Sequence, residues 1–231
     1  MTDAPAAHEP EPVNRDLVVE YFGAAFDRVD RFREMLAGEG VTRGLIGPRE
    51  APRLWERHLL NSASVAAFLP EQGSVIDVGS GAGLPGVVLA AMRPDLTVTL
   101  VEPMLRRVTW LEEVVETLEL AGSVSVVRAR AEELHGTLLA DVVTARAVAP
   151  LDRLAGWTLP LVRQGGALLA LKGSQAAVEA ADAAPALSAL GGGPAEVLDA
   201  PTIPGVDSTV VVRVVRERVV PPAPQGKRGR R

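Results

Sequence analysis

The fold is decided by the stretch SVIDVGSGAGLPG, residues 74–86. Its first five residues have the apolar character of a buried β-strand, and a helix is expected to begin near Pro85, because proline suits the first helical turn. Glycines at positions 79, 81 and 83 separate the two elements and allow the backbone to turn sharply beside a ligand. A turn at the carboxyl end of a parallel strand is where open α/β sheets bind their ligands.

Downstream of this turn, short Val/Ile/Leu runs alternate with helical patterns. The predicted strands are 74–78, 97–101, 123–128, 140–144 and 166–171, and the predicted helices are 85–92, 104–120 and 151–162. Apolar strands separated by helices indicate a parallel sheet covered on both faces. An alanine-rich helix and a strand near 195–199 follow. The last strand, 209–215, has no helix after it, so it is predicted to pair antiparallel with its predecessor through the turn around Pro204-Gly205.

Two helices are predicted upstream of the sheet. Apolar residues recur at three- and four-residue steps over 15–37, and a second helix over 50–69 ends at Pro70. The chain is therefore divided into four parts: a disordered tail (1–14), N-terminal helices (15–70), a ligand-binding α/β domain (71–218) and a basic tail (219–231).

The composition excludes several kinds of chemistry. The chain has 231 residues, no cysteine and three widely spaced histidines, so cysteine nucleophiles are excluded and no metal site is expected. Since it has no apolar run of about 18 residues and no signal peptide, we expect a cytoplasmic protein without membrane contact. The net charge of −5 argues against nucleic acid unless positive charge is concentrated locally. A monomer is the default state.

Two cofactors compete for the glycine turn. The segment GAGLPG at 81–86 satisfies the GxGxxG dinucleotide pattern, and Glu102, about 20 residues on, can accept ribose hydroxyls in either case. The acid-led spacing DxGxGxG that begins at Asp77 instead favours S-adenosyl-L-methionine. We therefore predict a Rossmann-like class I methyltransferase fold, α/β, with a mostly parallel sheet, an antiparallel last strand and an N-terminal helical extension. A dehydrogenase and a turn that binds nothing are the alternatives.

Further segments, taken with this turn, resemble the RsmG (GidB) family. They are RHLLNS at 57–62, VEP at 101–103, RAEE at 130–133, TARA at 144–147 and LKG at 171–173. The resemblance spans roughly residues 15–218. It implies methyl transfer to N7 of a guanine in the 16S ribosomal RNA of the bacterial small subunit. Asn61 is a departure, since the family often has aspartate there, so no charge-dependent role is assigned to it.

The resemblance also implies a cofactor site. Mapped residue by residue, the family's cofactor contacts fall on Gly79, Leu84, Ala131, Glu132 and Arg146. The superfamily turn pattern adds Asp77, Gly81, Gly83 and Glu102. No catalytic residue is predicted, because neutral guanine N7 carries a lone pair and needs no general base. Arg146 follows the fourth strand and is expected to have a positioning role at the mouth where the methyl group is transferred.

Positive charge for RNA binding is predicted on two segments. Arg49, Arg53 and Arg57 recur at four-residue steps and would form one helical stripe, and the tail carries Lys227, Arg228, Arg230 and Arg231. His58 and Lys172 are further candidates for RNA contact. The alternative for each of these residues is a purely structural role, in the core or on the solvated surface. Two other functions stay open: a methyltransferase acting on protein or small molecules, and a non-enzymatic RNA-binding module on the same scaffold.

Overall fold

Seven strands form a single sheet in the computed structural model, which describes residues 13–220. They are β1 (Gly73–Val78), β2 (Leu96–Val101), β3 (Val124–Val127), β4 (Ala140–Arg146), β5 (Val162–Lys172), β6 (Glu196–Ala200) and β7 (Thr209–Val215). Their order is β3-β2-β1-β4-β5-β7-β6. Strands β1 to β5 are parallel, and β7 lies antiparallel between β5 and β6. The predicted class I methyltransferase fold with an antiparallel last strand is confirmed.

Helices cover both faces of this sheet. They are α1 (Arg15–Phe22), α2 (Phe26–Glu39), α3 (Leu60–Ala63), α4 (Gly86–Met92), α5 (Leu105–Thr117), α6 (Leu151–Thr158) and α7 (Ala176–Ala189). Successive strand residues point to opposite faces, so Val75 packs with the N-terminal helices, α4 and α5, whereas Ile76 packs with α6 and α7. Within residues 13–220, no helix is long and apolar enough to cross a membrane.

The N-terminal extension differs from the two continuous helices that were predicted. Gly23, at φ +50°, interrupts the first helix between α1 and α2. The second is a series of short pieces: a 3₁₀ turn Ala51–Arg53, a π-helix Trp55–Leu59, α3, and a 3₁₀ turn Ser64–Phe68. It ends as expected, because Leu69 is extended before Pro70. The three- and four-residue spacing of apolar side chains does not distinguish α-helical from 3₁₀ or π-helical turns.

Three predicted boundaries also need correction. Residues 13 and 14 were assigned to a disordered tail, yet Val13 packs against the core and the Asn14 side chain caps α1 by accepting from the Asp16 amide at 2.9 Å. Helix α6 ends at Thr158, and β5 begins at Val162, earlier than predicted. Residues 1–12 and 221–231 lie outside the described residues.

Gly86, the first residue of α4, packs directly against β1. A Cβ there would lie 2.6 Å from Asp77 Oδ2 and would also overlap the Leu100 side chain. We expect Gly86→Ala to lower the free energy of unfolding by about 1–3 kcal/mol, because the strand and the helix cannot separate without losing contacts elsewhere. Denaturant titration followed by circular dichroism measures this change.

Gly38→Ala is the matched control for this prediction. Gly38 lies in α2, and its Cβ would meet nothing within 4 Å. This variant should gain about 0.5–1 kcal/mol from the better helix propensity of alanine. Equal effects of the two substitutions would contradict the packing argument.

Candidate functional site

The glycine turn between β1 and α4 is held in shape from below by Asp77. The Asp77 carboxylate is fully buried and accepts hydrogen bonds from the Gly86 amide and the Thr144 hydroxyl, each at 3.1 Å. Burial raises the pKa of Asp77 to about 6, although these hydrogen bonds favour the charged form. Asp77 therefore supports the turn from beneath and does not face the cleft above it.

A cleft of about 330 Å³ lies over the turn, at the carboxyl ends of β1, β2 and β4. We call it the cofactor cleft. Of the predicted cofactor residues, it is lined by Gly79, Glu102, Ala131, Glu132 and Arg146. These come from four separate segments, and the parallel sheet brings them together because its strands end at one edge. Arg107, Met104 and Trp157 also line this cleft and were not predicted, since no turn or strand-end motif marks them.

Glu102 forms one wall of the cofactor cleft and is held rigidly. Only 2% of it is exposed, and its two carboxylate oxygens accept from the amides of Gly81 at 3.0 Å and Met104 at 2.9 Å. Each oxygen retains a lone pair that can accept a ligand hydroxyl. The cleft thus offers a fixed acceptor for a sugar beside the backbone of Gly79. Gly79 has a φ of +72°, a conformation that would be strained for a residue with a side chain.

The structure changes the role expected for three other residues of the turn. Gly81 uses its amide to hold Glu102. A Cβ on Gly83 would lie 3.1 Å from Phe32 of α2, so this glycine lets the N-terminal extension approach the turn. Leu84 is 6% exposed and belongs to the core cluster. None of the three lines the described cofactor cleft, and they shape the turn from behind.

A second, larger cleft of about 880 Å³ adjoins the first. We call it the substrate cleft. It lies between the 50–61 segment, the loop after β4 and the residues before β7, and Arg146, Ala147 and Val148 line both clefts. Val148 stands over the glycine turn, since a Cβ on Gly79 would come within 3.0 Å of Val148 Cγ2. The end of β4 is therefore the partition at which the two clefts meet.

Arg146 is tied to the 57–61 segment by three hydrogen bonds. Its Nη1 donates to the Arg57 carbonyl and to Asn61 Oδ1, each at 3.1 Å, and its Nη2 donates to His58 Nδ1 at 2.8 Å. Burial lowers the pKa of Arg146 to about 10, against the attraction of Asp77 and Glu50, so it stays charged at neutral pH. Three of its five N–H groups are engaged within the described residues, and the Nε–H and one Nη2–H have no acceptor among them.

The predicted RNA-binding residues are not one helical stripe. Arg53 and Arg57 line the substrate cleft, but Arg49 lies in the turn before it and is not among the lining residues. The change from 3₁₀ to π geometry breaks the four-residue repeat. Arg53 pairs with Glu56, and Arg57 Nη1 lies 3.3 Å from Glu50 Oε1.

Lys172, for which a phosphate contact was expected, lines the substrate cleft and already has two acceptors in the protein. Its Nζ donates to the Ala149 carbonyl and to Glu179 Oε2, both at 2.7 Å, and its side chain is 9% exposed. The same carboxylate oxygen accepts from the Leu151 amide at the start of α6. Lys172 thus fixes the loop after β4. The tail residues Lys227, Arg228, Arg230 and Arg231 lie outside the described residues, so their contact with RNA stays a prediction.

The seven-stranded sheet and the glycine turn after β1 define the class I methyltransferase fold. The protein TYW2 of M. jannaschii in complex with AdoMet shares the fold, with a TM-score of 0.54 and 20% identity over 70% of this chain and 78% of that chain. An O-methyltransferase from Thermotoga maritima has a TM-score of 0.53 and 16% identity over 70% of this chain and 66% of that one.

Comparison of the amino-acid sequence with known proteins identifies the family within this fold class. The model of the family GidB, rRNA small subunit methyltransferase G, matches residues 26–200, and this chain belongs to that family. A ribosomal RNA small subunit methyltransferase G from Nocardioides sp. is 61% identical over 186 residues, or 80% of this chain and 74% of the relative. Another, from Salinispora arenicola, is 52% identical over 222 residues, or 94% and 92%.

Proposed function

We propose that this protein transfers a methyl group from S-adenosyl-L-methionine to N7 of a guanine in the 16S ribosomal RNA of the small subunit. The observation that carries the proposal is the meeting of the two clefts at Arg146, Ala147 and Val148. A donor bound over the glycine turn and a base entering the larger cleft would approach each other only there. The name of the family supplies the substrate class.

The residues of the cofactor cleft fit the proposed donor. The sulfonium of S-adenosylmethionine supplies an electrophilic methyl group. Gly79 lets a ligand approach the backbone, Glu102 can accept from ribose hydroxyls, and Ala131 and Glu132 can meet the edge of an adenine. Because guanine N7 needs no base, the contribution of the protein is to align the two reactants and exclude competing poses. Arg146, at the partition, is the positioning group for this alignment.

The rim of the substrate cleft suits an anionic polymer. The side chains of Arg53 and Arg57 are 39% and 50% exposed, and their partners are Glu56 and Glu50 on the same segment. Exposed ion pairs contribute only about 0–1 kcal/mol, so a phosphate group can compete with Glu50 for Arg57 at little cost, whereas the part-buried Arg53–Glu56 pair is held more firmly. Positive charge is thereby available at the cleft even though the whole chain has a net charge of −5.

One observation favours the alternative substrate, a protein or a small molecule. Four acidic residues line the same cleft, namely Glu50, Glu56, Glu179 and Asp207. Glu50, Glu56 and Glu179 are already paired with basic side chains of the cleft. The RNA proposal therefore requires that Arg53 and Arg57 exchange their glutamate partners for phosphate groups. Direct labelling of RNA or protein decides between the two kinds of substrate.

The test is transfer of tritium from labelled S-adenosylmethionine to small ribosomal subunits purified from cells that lack this protein. We expect label in 16S RNA at a single guanine, detected as strand scission after borohydride and aniline treatment, which reports N7 methylation. Subunits from cells that contain the protein should accept little label, because the site is already modified. Label in ribosomal proteins and none in RNA would refute the proposal.

The partner and the compartment follow from this substrate. The small ribosomal subunit or its RNA is the proposed partner, and the cytoplasm, where bacterial subunits are assembled, is the proposed location. The chain is proposed to act there as a monomer.

We predict that the double variant Arg53→Gln, Arg57→Gln binds 16S RNA with a weaker dependence on salt. Each lost phosphate contact should reduce the slope of log affinity against log salt concentration by about 0.7 to 0.9. Fluorescence anisotropy across a series of KCl concentrations measures the slope. Arg49→Gln is the matched control, since Arg49 is exposed and lies outside the described cleft lining. If the salt dependence of affinity were the same for the double variant and wild type, Arg53 and Arg57 would not contact RNA phosphates.

A further inference from the structure

We propose that Glu50 and His58 form a positioning pair that holds Arg146 at the partition between the two clefts, and that His58 works as a neutral hydrogen-bond acceptor. The inference rests on the proposed function, because it concerns the residue placed where the donor and the base meet. It assigns a role to two residues outside the glycine turn and the strand ends.

The contacts of the pair form a line that ends at Arg146. His58 Nε2 lies 2.9 Å from Glu50 Oε2, and His58 Nδ1 lies 2.8 Å from Arg146 Nη2. The His58 side chain is 13% exposed and that of Glu50 is 30% exposed. The imidazole therefore stands between a carboxylate on one side and a guanidinium on the other, largely withdrawn from solvent.

These two neighbours select one protonation state of His58. A guanidinium carries only donors, so Nδ1 must present its lone pair to Arg146. The proton of the neutral ring then lies on Nε2, which is close to the Glu50 carboxylate at 2.9 Å without hydrogen-bond geometry, so Glu50 acts on the ring mainly through its charge. If Nδ1 were protonated, its N–H would face the Nη2–H of Arg146, and this hydrogen bond would be lost.

The charged groups around His58 agree with this state. Burial and the positive charge of Arg146 lower the pKa of His58, Arg57 on its own segment acts in the same direction, and Glu50 opposes them. The ring is thus neutral at pH 7, and acidification below its usual range is needed to charge it. Once the His58 ring is charged, it loses its hydrogen bond with Arg146 and is also repelled by the positive charges of Arg57 and Arg146.

The local backbone explains why this segment can present two acceptors to Arg146. Residues Trp55–Leu59 form a π-helix, a geometry found often at functional sites. It directs the Arg57 carbonyl and the His58 ring to the same guanidinium, and Asn61, whose Nδ2 donates to the Thr209 hydroxyl at 2.8 Å, supplies the third acceptor. Loss of His58 would leave Arg146 tethered through Nη1 alone and free to turn.

The test compares His58→Gln with His58→Leu. Glutamine keeps a neutral acceptor for Arg146 but does not titrate, whereas leucine has no acceptor. In wild type, we expect S-adenosylhomocysteine affinity and kcat to fall on the acid side, with a midpoint below pH 6.5, the usual value for histidine. His58→Gln should stay within a few-fold of wild type at pH 7.5, and its acid limb should be shallower, because only the contribution of Asp77, whose pKa is about 6, remains. His58→Leu should lose about 10- to 100-fold at pH 7.5, as expected for a hydrogen bond to a charged group, and this loss relative to wild type should shrink at acid pH, where the wild-type contact is itself broken.

Nitrogen-detected NMR of the histidine rings supplies a readout that needs neither RNA nor turnover. The His58 signals, identified by their absence in His58→Gln, should show the Nε2–H tautomer and a titration midpoint below 6.5. An Nδ1–H tautomer, a ring charged at pH 7, or an acid limb in His58→Gln that is as steep as that of wild type would overturn the inference. If ribosomal RNA accepts no label but the tautomer and the affinity profile are as expected, the proposed function fails and the positioning pair stands.

Discussion

Glu102→Ala is expected to weaken S-adenosylhomocysteine binding by about 100-fold, or about 2.7 kcal/mol. Glu102 is 2% exposed, and its carboxylate both fixes the amides of Gly81 and Met104 and is the proposed acceptor for the ribose. The variant removes the ligand contact and leaves two amides of the cleft wall without their acceptor, and charge-assisted bonds of this kind contribute about 1.5–3 kcal/mol each. Isothermal titration calorimetry measures the change.

Thermal melting gives an independent check on this prediction. S-adenosylhomocysteine should raise the Tm of the wild type, because it binds only the folded state, and the rise should shrink in Glu102→Ala. NADH should leave the Tm unchanged, which separates the two cofactors that fit the glycine pattern. Glu112→Ala serves as the control, since Glu112 is an exposed acid on α5. Equal affinities of the Glu102 and Glu112 variants would remove Glu102 from the site.

Arg146→Ala is expected to lower kcat for RNA methylation by about 100- to 1,000-fold, the range seen when one preorganised donor is removed from an active site. Arg146 is the side chain shared by both clefts, and two of its N–H groups remain available to a ligand. Its loss should also lower the Tm, because the His58 and Asn61 side chains lose their donor and buried Asp77 loses a nearby positive charge. Single-turnover methylation measures the chemical step.

Arg146→Lys separates the two effects of that substitution. Lysine keeps the charge near Asp77 but cannot reproduce the planar fork that reaches three acceptors at once. We expect a Tm closer to wild type than that of Arg146→Ala, together with a kcat at least about tenfold below wild type. If activity followed the Tm in both variants, Arg146 would be a structural residue, and the family correspondence at this position would fail.

Several residues that the sequence assigned to the cofactor site line one cleft, and the reason is geometric. Gly79, Glu102, Ala131 and Arg146 each stand just beyond a predicted strand, and parallel strands end at one edge of a sheet. Local patterns were enough to place these residues in a single cleft. The same patterns do not show which residues face the ligand, so Asp77 and Leu84 were assigned to the cofactor although they pack behind the turn.

The substrate side shows where prediction from sequence fails. Arg49, Arg53 and Arg57 were placed on one face by their spacing, but that face exists only in a regular α-helix, and the segment contains a π-helix. A phosphate contact of Lys172 stays a prediction, and the sequence did not reveal that its Nζ donates to Ala149 and Glu179. Partners of long side chains depend on which elements pack together, and a linear pattern contains no such information.

The sequence alone determined the α/β fold, the position of the glycine turn and the cofactor class, because these depend on apolar period, glycine spacing and the ends of strands. Only the tertiary structure decided how Arg146 is held. The residues that bind it, His58 and Asn61, are separated from it by 88 and 85 positions. They meet it because the N-terminal extension packs against the α4 and α5 face of the sheet, where buried apolar contacts between distant segments outweigh any local preference.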